Sequence, residues 1–282
     1  MRKIKLLSTV ALGIMLSIAP AYAANNVDNA AEEEVLGALK SVLKKNPKIV
    51  YDAVVQFKAD REANKTDYKE TFTPLEEKVA TILKENPTFV VGALQIYEQE
   101  QQQKELLQTA EVYKQHIAEI NQADIVAGNP NGKYTLVEFF DFSCGFCKKM
   151  APNIKKIIEK NPDVKVVFKP VAFLAKNSEY AARAAIAANN QGKFLDMYLK
   201  IMEMNRATEP ELEKAASDLG LDLDKYKKDY DDKNTTKLIE RIKATADKIG
   251  MKSVPTLIID GMPLYATEEV QIQHAIDVLR NN

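Results

Sequence analysis

In the segment Val137–Lys149, VEFFDFSCGFCKK, an apolar run and a short turn lead into a C-x-x-C motif that opens a lysine-rich helix. Cys144 and Cys147 are the only cysteines among the 282 residues. A cysteine at a helix N-terminus faces unpaired backbone N–H groups and the positive end of the helix dipole, so its thiolate is stabilised. A second cysteine one turn further on is close enough to form a small, reversible disulfide. The motif therefore indicates thiol–disulfide chemistry.

Three other interpretations of the cysteine pair compete with the redox one. Half of a zinc site would need a second pair of ligands, but the chain offers only His116 and His274 besides the two cysteines. An inert structural disulfide is disfavoured because so small a loop constrains the unfolded chain very little. A copper site built on the two thiolates stays open as the weaker alternative. We predict no resident metal and no cofactor.

The first 23 residues have the pattern of a secretory signal peptide. A basic start, Met1–Lys5, precedes an apolar run from Leu6 to Ile18, and Ala21-Tyr22-Ala23 fits the A-x-A cleavage pattern. The apolar run is too short to span a membrane. We therefore expect cleavage after Ala23 and export to a compartment in which disulfides persist.

The charge balance argues against two classes of partner. The full chain has 39 Lys and Arg, which fall to 36 when residues 1–23 and their three cations are removed, against 40 Asp and Glu. This mature charge of about −4 gives no basic surplus for nucleic acid, and there is no polybasic tract for an anionic membrane. The remaining 259 residues leave room for one large domain or two smaller ones.

Residues 24–122 are predicted to form a helical domain with an internal repeat. The segment Leu43–Ala53 recurs forty positions later as Leu83–Ala93, and both copies contain Asn-Pro. This pair suits a helix start, with Asn as the N-cap and Pro in the first turn. We predict a long second helix that runs from Pro87 to about Gln122.

A stripe on that long helix suggests what the domain does. Its apolar residues recur at alternating steps of four and three, the spacing of a seam between helices: Leu106, Ala110, Tyr113, Ile117 and Ile120. The stripe either packs on its own repeat partner or joins subunits. We favour a homo-oligomer, dimer or trimer, which light scattering of a protein truncated near Ala123 would test.

From residue 123 the pattern changes to that of an α/β domain. Strands are predicted at Tyr134–Phe140 and at Val164–Val171, separated by a helix from Cys147 to Lys160 that tolerates Pro152. A helical series covers about residues 176–250, and a hairpin around Asp260-Gly261 and a last helix follow. The order is β-α-β, a helical insertion, then β-β-α.

These motifs together resemble the DsbA family of thioredoxin-fold proteins. The resemblance rests on two segments. One is the active-site stretch Val137–Lys148, and the other is Val254-Pro255-Thr256, which is similar to that family's cis-proline loop. The repeated N-terminal unit is similar to the domain that precedes the thioredoxin fold in the ScsC-like (suppressor of copper sensitivity) branch. The resemblance implies a thioredoxin fold with a DsbA-type helical insertion, a periplasmic location, and the homo-oligomers and disulfide isomerase activity of that branch. This chain departs from the pattern by containing the unit twice.

The resemblance also implies roles for individual residues. Cys144 is the expected nucleophile, an exposed thiol of low pKa, and Cys147 the buried thiol that resolves mixed disulfides. Glu138 is the expected proton relay beneath Cys147, although it could instead be a strand-edge residue that reaches solvent. Pro255, if cis, presents the Val254 backbone to substrate.

The residues between the cysteines set the strength of the oxidant. Gly145 and Phe146 are expected to contact substrate, and they stand where family oxidases typically have a histidine that stabilises the thiolate. Phe146 cannot donate such a hydrogen bond. We therefore predict a milder nucleophile and a less oxidising disulfide than in the Pro-His members.

We interpret the chain as an exported thiol–disulfide oxidoreductase that acts on cysteine-containing proteins, and we favour isomerase or reductase activity. Isomerisation requires a reduced Cys144, which implies a membrane electron donor of the DsbD type. One alternative is a dithiol oxidase recharged by a DsbB-like partner. A second, from another class, is a copper-sequestering or chaperone-like binding protein.

Overall fold

The structure is a computed structural model that describes residues 37–39, 41–45, 48, 52 and 87–281. The predicted signal peptide and most of the first repeat copy lie outside these residues. The chain divides into two compact units, residues 1–101 and residues 102–282. In the first unit, the described residues 37–39 and 41–45 are helical, and Leu43 and Ala93 are buried.

Within residues 87–281, the helices and strands follow each other in the order that the sequence predicted. The helices are α1 (Pro87–Gln115), α2 (Ile117–Ile120), α3 (Gly145–Lys160), α4 (Lys176–Asn189), α5 (Phe194–Glu203), α6 (Glu209–Asp218), α7 (Leu223–Tyr230), α8 (Lys233–Lys248) and α9 (Glu269–Arg280). The strands are β1 (Val126–Gly128), β2 (Tyr134–Phe140), β3 (Val164–Pro170), β4 (Thr256–Ile259) and β5 (Met262–Leu264). Among these described helices, none is both long and apolar enough to cross a membrane.

The five strands form one mixed sheet in the order β1-β3-β2-β4-β5. β2 and β3 run parallel, with Glu138 opposite Phe168, and the other neighbours are antiparallel, with Glu138 opposite Leu257 on β4. Every residue of β2 is buried, because it is the central strand and both sheet faces are covered. The β-α-β, helical insertion and β-β-α order is thus confirmed, as is the thioredoxin-type fold class.

Side chains alternate along β2 between two apolar cores. Leu136 and Phe140 face a large cluster with helices α3 to α7 and α9, whereas Val137 and Phe139 face a smaller cluster on the other side. Glu138 is in register with the first set, so its carboxyl points toward α3 and α5. The site therefore lies on the face covered by the helical insertion.

Two elements were not predicted individually. β1 has only three residues and pairs antiparallel with β3 at the sheet edge, beside the turn residues that hid it in the sequence. α7 falls within the helical series predicted for about residues 176–250 but was not predicted as a separate helix. Asp222 caps it by accepting a hydrogen bond from the Lys225 N–H at 3.0 Å. Neither element changes the position of the site.

The long N-terminal helix ends earlier than predicted. α1 stops at Gln115, His116 leaves the helical conformation, and the single turn α2 follows, where a continuous helix to Gln122 was expected. At the break the His116 N–H is shared between the carbonyls of Val112 and Tyr113, both at 3.2 Å. Lys169 of β3 accounts for the end of α2, since its buried ammonium donates to the carbonyls of Glu119 at 3.2 Å and of Gln122 at 2.6 Å, which are then not available to continue a helix.

The C-terminal part of the apolar stripe packs within the chain. Tyr113 and Ile120 are buried in the smaller core against Val137, Phe139 and Val167 of the sheet. These two stripe residues therefore belong to the core of the second compact unit, which begins at Gln102. A protein truncated at Ala123 would lose them, so a truncation that preserves this core begins at Gln102.

The hairpin between β4 and β5 is built on two residues with positive φ. Asp260 has φ 46° and Gly261 has φ 81°, the combination that tight two-residue hairpin turns require. A Cβ on Gly261 would lie 2.9 Å from Ile117 Cδ1, the movable end of a side chain, so the requirement for glycine comes from the positive φ rather than from space. The predicted Asp-Gly turn is confirmed.

Candidate active site

The cysteine pair lies where β2 ends and α3 begins. Cys144 is the N-cap of α3, with extended backbone angles of φ −80° and ψ 120°, and its Sγ accepts a hydrogen bond from the Cys147 N–H at 3.4 Å. The Lys148 N–H binds the Cys144 carbonyl at 3.0 Å and closes the first turn. The thiol that caps the helix thus stands at the positive end of the helix dipole. Both cysteines are free thiols.

The two thiols differ in exposure, and Cys144 is less open than predicted. Cys144 is 7% exposed and Cys147 is fully buried, so the expectation of an exposed nucleophile is wrong in degree. The reason is a contact across the site, because the Cys144 thiol donates to the Val254 carbonyl at 3.4 Å. Burial raises the pKa of the Cys147 thiol far above its ordinary value, and the neighbouring Cys144 and Glu138 raise it further. Cys147 therefore stays protonated until a base takes its proton.

The loop before β4 closes the site from the opposite side. The Val254–Pro255 peptide bond is cis, and Val254 is partly exposed beside Cys144. Its carbonyl faces the Cys144 sulfur, as the hydrogen bond shows. The structure thus brings together Val254 and the two cysteines, although they are 110 residues apart in the chain.

Glu138 is fully buried on β2, so the strand-edge alternative is wrong. Its two carboxyl oxygens accept hydrogen bonds from the Tyr198 hydroxyl at 3.3 and 3.1 Å. Burial raises the pKa of Glu138 to about 8, and the hydrogen bond from Tyr198 lowers it slightly against that effect. At neutral pH the carboxyl is thus poised to exchange a proton. Sequence reasoning missed Tyr198 because it lies on α5, sixty residues away, without any local motif.

Asp141 organises the turn that precedes the cysteines. Its buried carboxylate accepts hydrogen bonds from the backbone N–H groups of Ser143 at 2.8 Å, Phe173 at 2.9 Å and Leu174 at 3.0 Å. It also accepts one from the Ser178 hydroxyl at 2.6 Å. The sequence suggested only a turn residue here, but these charge-assisted bonds join the reactive turn to the loop after β3 and to the start of α4.

The residues that flank the cysteine pair differ in their exposure to solvent. Phe146 is 70% exposed, with the Lys149 ammonium 5.8 Å from its ring, whereas Phe142 is buried in the core. Gly145 is exposed, and a Cβ there would meet nothing within 4 Å. Lys148 is not the freely solvated side chain that its place in a lysine-rich helix suggested, because its ammonium donates to the Met204 carbonyl. The exposed residues between the cysteines leave access to Cys144 from this side.

The arrangement supports a two-step exchange. In such an exchange the Cys144 thiolate would attack one sulfur of a substrate disulfide, form a mixed disulfide and release the other substrate sulfur as a thiolate. Cys147 would then give up its proton, for which the Glu138 carboxylate is the candidate acceptor, and attack Cys144 Sγ, releasing the second substrate thiolate and leaving a Cys144–Cys147 disulfide. Two electrons pass to the substrate, and the reverse sequence oxidises a substrate dithiol.

Fold and site together define a thioredoxin-fold protein with a dithiol centre, and the comparison with known families agrees. A family model described as Thioredoxin matches residues 120–278, which is more than half of the chain. The chain belongs to this thioredoxin family. DsbA-type and ScsC proteins are among its structural neighbours, at 20–22% identity, and share its fold, which confirms the expected resemblance at the level of the fold.

Two solved structures illustrate the likeness. A thioredoxin-like oxidoreductase from Silicibacter pomeroyi DSS-3 is 30% identical, with a TM-score of 0.54 over 58% of this chain and 98% of that one. The catalytic domain of Proteus mirabilis ScsC is 22% identical and shares the fold, with a TM-score of 0.54 over 60% of this chain and 96% of that one. The first of these supports a thiol–disulfide oxidoreductase.

Curated relatives match this chain over part of a longer protein. The Na(+)/H(+) antiporter NhaA 3 of Salinispora tropica is 28% identical over 141 residues, which is 49% of this chain and 22% of the antiporter. The chain thus spans about a fifth of the length of that relative.

Replacing Phe146 by histidine tests the predicted mildness of the oxidant. An imidazole at this exposed position can donate to the Cys144 thiolate, which stabilises the reduced form, whereas the phenyl ring cannot. We expect Phe146→His to raise the reduction potential by about 30 mV or more, the equivalent of one hydrogen bond to a charged group. Equilibration with glutathione buffers measures it, and Phe146→Leu, which removes the ring without adding a donor, is the control for lost aromatic packing. A wild-type potential as high as that of the strongest family oxidases would contradict the premise.

Proposed function

We propose that this protein is an exported disulfide isomerase and reductase, which acts on cysteine-containing proteins through Cys144 and Cys147. One observation supports the exchange chemistry above all others. The partly covered Cys144 caps a helix, and the buried Cys147 and Glu138 lie behind it as the second thiol and its base. This is the division of labour that two-step exchange requires.

Two features favour isomerisation over primary oxidation. Phe146 offers no hydrogen bond to the Cys144 thiolate, and its exposed ring leaves the sulfur without a stabilising donor on that side. A less stable thiolate lowers the reduction potential and makes the disulfide a weaker oxidant. A protein that isomerises must be returned to the dithiol state, so we propose a membrane electron donor of the DsbD type as its partner in the periplasm.

We also propose that the helical N-terminal segment joins two or three copies of the chain. An oligomer would place several dithiol centres around a shared space, where a wrong disulfide is held and reopened. The part of α1 that precedes Gln102 supports this assignment, since Val91 is 51% exposed and Ile96 is 40% exposed. Exposed apolar residues along a long helix are typical of a subunit contact.

Refolding of ribonuclease separates the candidate functions. The mature protein should reactivate scrambled ribonuclease, and a protein that begins at Gln102 should lose most of this activity while it still reduces a small disulfide. Light scattering should show that the truncation is monomeric and the mature protein is not. If neither form isomerises but both oxidise reduced ribonuclease, the DsbA-like oxidase replaces the isomerase. A Cys144→Ser, Cys147→Ser variant that still suppresses aggregation would instead indicate a chaperone-like protein.

A further inference from the structure

Tyr198 is the polar side chain by which the helical insertion contacts Glu138. It lies on α5 and is completely buried, as is Glu138 on β2. Within the described residues 87–281, its hydroxyl is the only side-chain group that hydrogen-bonds to Glu138, and it reaches both carboxyl oxygens, at 3.3 and 3.1 Å. A buried carboxyl with one hydrogen-bond donor depends on that donor for its position.

The Tyr198 ring is itself held firmly. Its centroid lies 5.1 Å from that of Phe140, 5.0 Å from that of Phe168 and 5.8 Å from that of Phe194. Packing against three aromatic rings fixes both the ring plane and the direction of the hydroxyl. The aromatic cluster therefore determines where the Glu138 carboxyl can lie.

Among the described residues, no lysine or arginine side chain forms an ion pair with the Glu138 carboxyl that Tyr198 binds. The groups opposite Glu138 in the sheet are the uncharged Phe168 of β3 and Leu257 of β4. Lys169, next on β3, points to the other face, where its ammonium binds the carbonyls of Glu119 and Gln122. The ionisable groups that act on this site are Tyr198 from α5 and Cys147 and Cys144 from the start of α3.

We propose that Tyr198 is a positioning residue for thiol–disulfide exchange, which holds the Glu138 carboxyl behind Cys147 and sets the pH at which that carboxyl takes the Cys147 proton. This proposal rests on the dithiol chemistry of the proposed function. In the resolving step the Cys147 S–H bond breaks and its proton passes to Glu138. The Cys147 thiolate then displaces the substrate sulfur from Cys144, and the departing thiolate takes a proton from solvent.

The direction of the effect follows from the hydrogen bond. A donated hydroxyl proton stabilises the carboxylate, so the bond from Tyr198 lowers the pKa of Glu138 while burial raises it. Removing the hydroxyl leaves burial unopposed, and the pKa of Glu138 rises. Fewer carboxylates are then available to accept the Cys147 proton at neutral pH, and the resolving step slows.

The experiment follows the two steps separately with oxidised glutathione as the probe. Reduced protein is mixed with oxidised glutathione, and samples are quenched with acid at intervals. Mass spectrometry then gives the fractions of mixed disulfide and of Cys144–Cys147 disulfide, and the series is repeated over a range of pH. For Tyr198→Phe we expect the midpoint of the resolving step to rise by about one pH unit, with about tenfold slower resolution near neutral pH. The first step, attack by Cys144, should keep its rate and pH dependence.

Tyr134→Phe is the matched control. Tyr134 is also a buried tyrosine of the large core, and its hydroxyl donates to the Leu279 carbonyl at 3.3 Å, at the opposite end of β2. Loss of this hydroxyl should leave both midpoints unchanged. Biosynthetic replacement of tyrosine by 3-fluorotyrosine, whose hydroxyl is a stronger donor, should lower the midpoint of the resolving step, and it provides the test if Tyr198→Phe fails to fold.

If the midpoint of the resolving step is the same in wild type and in Tyr198→Phe, the role of Tyr198 is overturned and the exchange chemistry stays intact. If Tyr198→Phe does not fold, a midpoint that fluorination leaves unchanged has the same meaning. Absence of any mixed disulfide with glutathione in the wild type contradicts the proposed function, and the role of Tyr198 falls with it. The two failures are therefore distinguishable in one set of measurements.

Discussion

Cys144→Ser is expected to reduce disulfide reductase and isomerase turnover by about a thousandfold or more, because the variant loses the nucleophile of the first step. The substitution should leave the fold intact. Serine can still cap α3 by accepting from the Cys147 N–H, and the residue is nearly buried in a turn that Asp141 holds independently. Turnover with oxidised glutathione and with scrambled ribonuclease measures the loss.

The matched variant Cys147→Ser should behave differently. It retains the nucleophile but lacks the buried thiol that resolves the mixed disulfide, so a covalent adduct between Cys144 and the substrate should accumulate. Gel electrophoresis without reductant shows this adduct directly. If Cys144→Ser formed the adduct and Cys147→Ser did not, the assignment of the two roles would be reversed.

Glu138→Gln is expected to stabilise the reduced protein at neutral and alkaline pH. Burial raises the pKa of Glu138 from 4.5 to about 8, so the native state keeps a proton between these values that the unfolded chain has lost. Stability therefore falls as pH rises from about 4.5 to about 8, by about 3 kcal/mol at pH 7 when each pKa unit counts about 1.4 kcal/mol. Glutamine does not titrate, and its side-chain oxygen can still accept from Tyr198.

The measurement is urea unfolding of the reduced proteins at several pH values. Wild type and Glu138→Gln should be similarly stable near pH 4, and the variant should gain about 3 to 4 kcal/mol by pH 7.5. Glu159→Gln, on the exposed side of α3, controls for the loss of a negative charge and should leave the slope unchanged. A variant that kept the full pH dependence of the wild type would show that another group causes it.

The parts of the fold that follow from short-range patterns were predictable. The strands β2 and β3, the Asp260-Gly261 hairpin and the position of the cysteine pair at the start of α3 are all encoded in segments of a dozen residues or fewer. Glu138 was identifiable because a single charge in an apolar strand requires a purpose or a partner. The alternation of β2 between two cores then placed its carboxyl on the face of α3.

The parts that depend on contacts between distant segments were not predictable. Tyr198 reaches Glu138 from the insertion, and nothing near it in the sequence distinguishes it from a core tyrosine. Asp141 was interpreted as a turn residue because its partners Phe173, Leu174 and Ser178 lie more than thirty residues away. The end of α2 also depends on a distant residue, Lys169, whose ammonium binds the carbonyls of Glu119 and Gln122.

The exchange chemistry proposed for this protein depends on reversible formation of a disulfide between Cys144 and Cys147. One redox titration measures this reaction. Wild type, Cys144→Ser and Cys147→Ser are equilibrated in glutathione buffers of increasing oxidation, quenched with acid and analysed by mass spectrometry. We expect the wild type to lose two hydrogen atoms in a single reversible transition, with the Cys144 and Cys147 peptides linked, and neither variant to do so. Two thiols that persisted in the wild type throughout an oxidising series would contradict it.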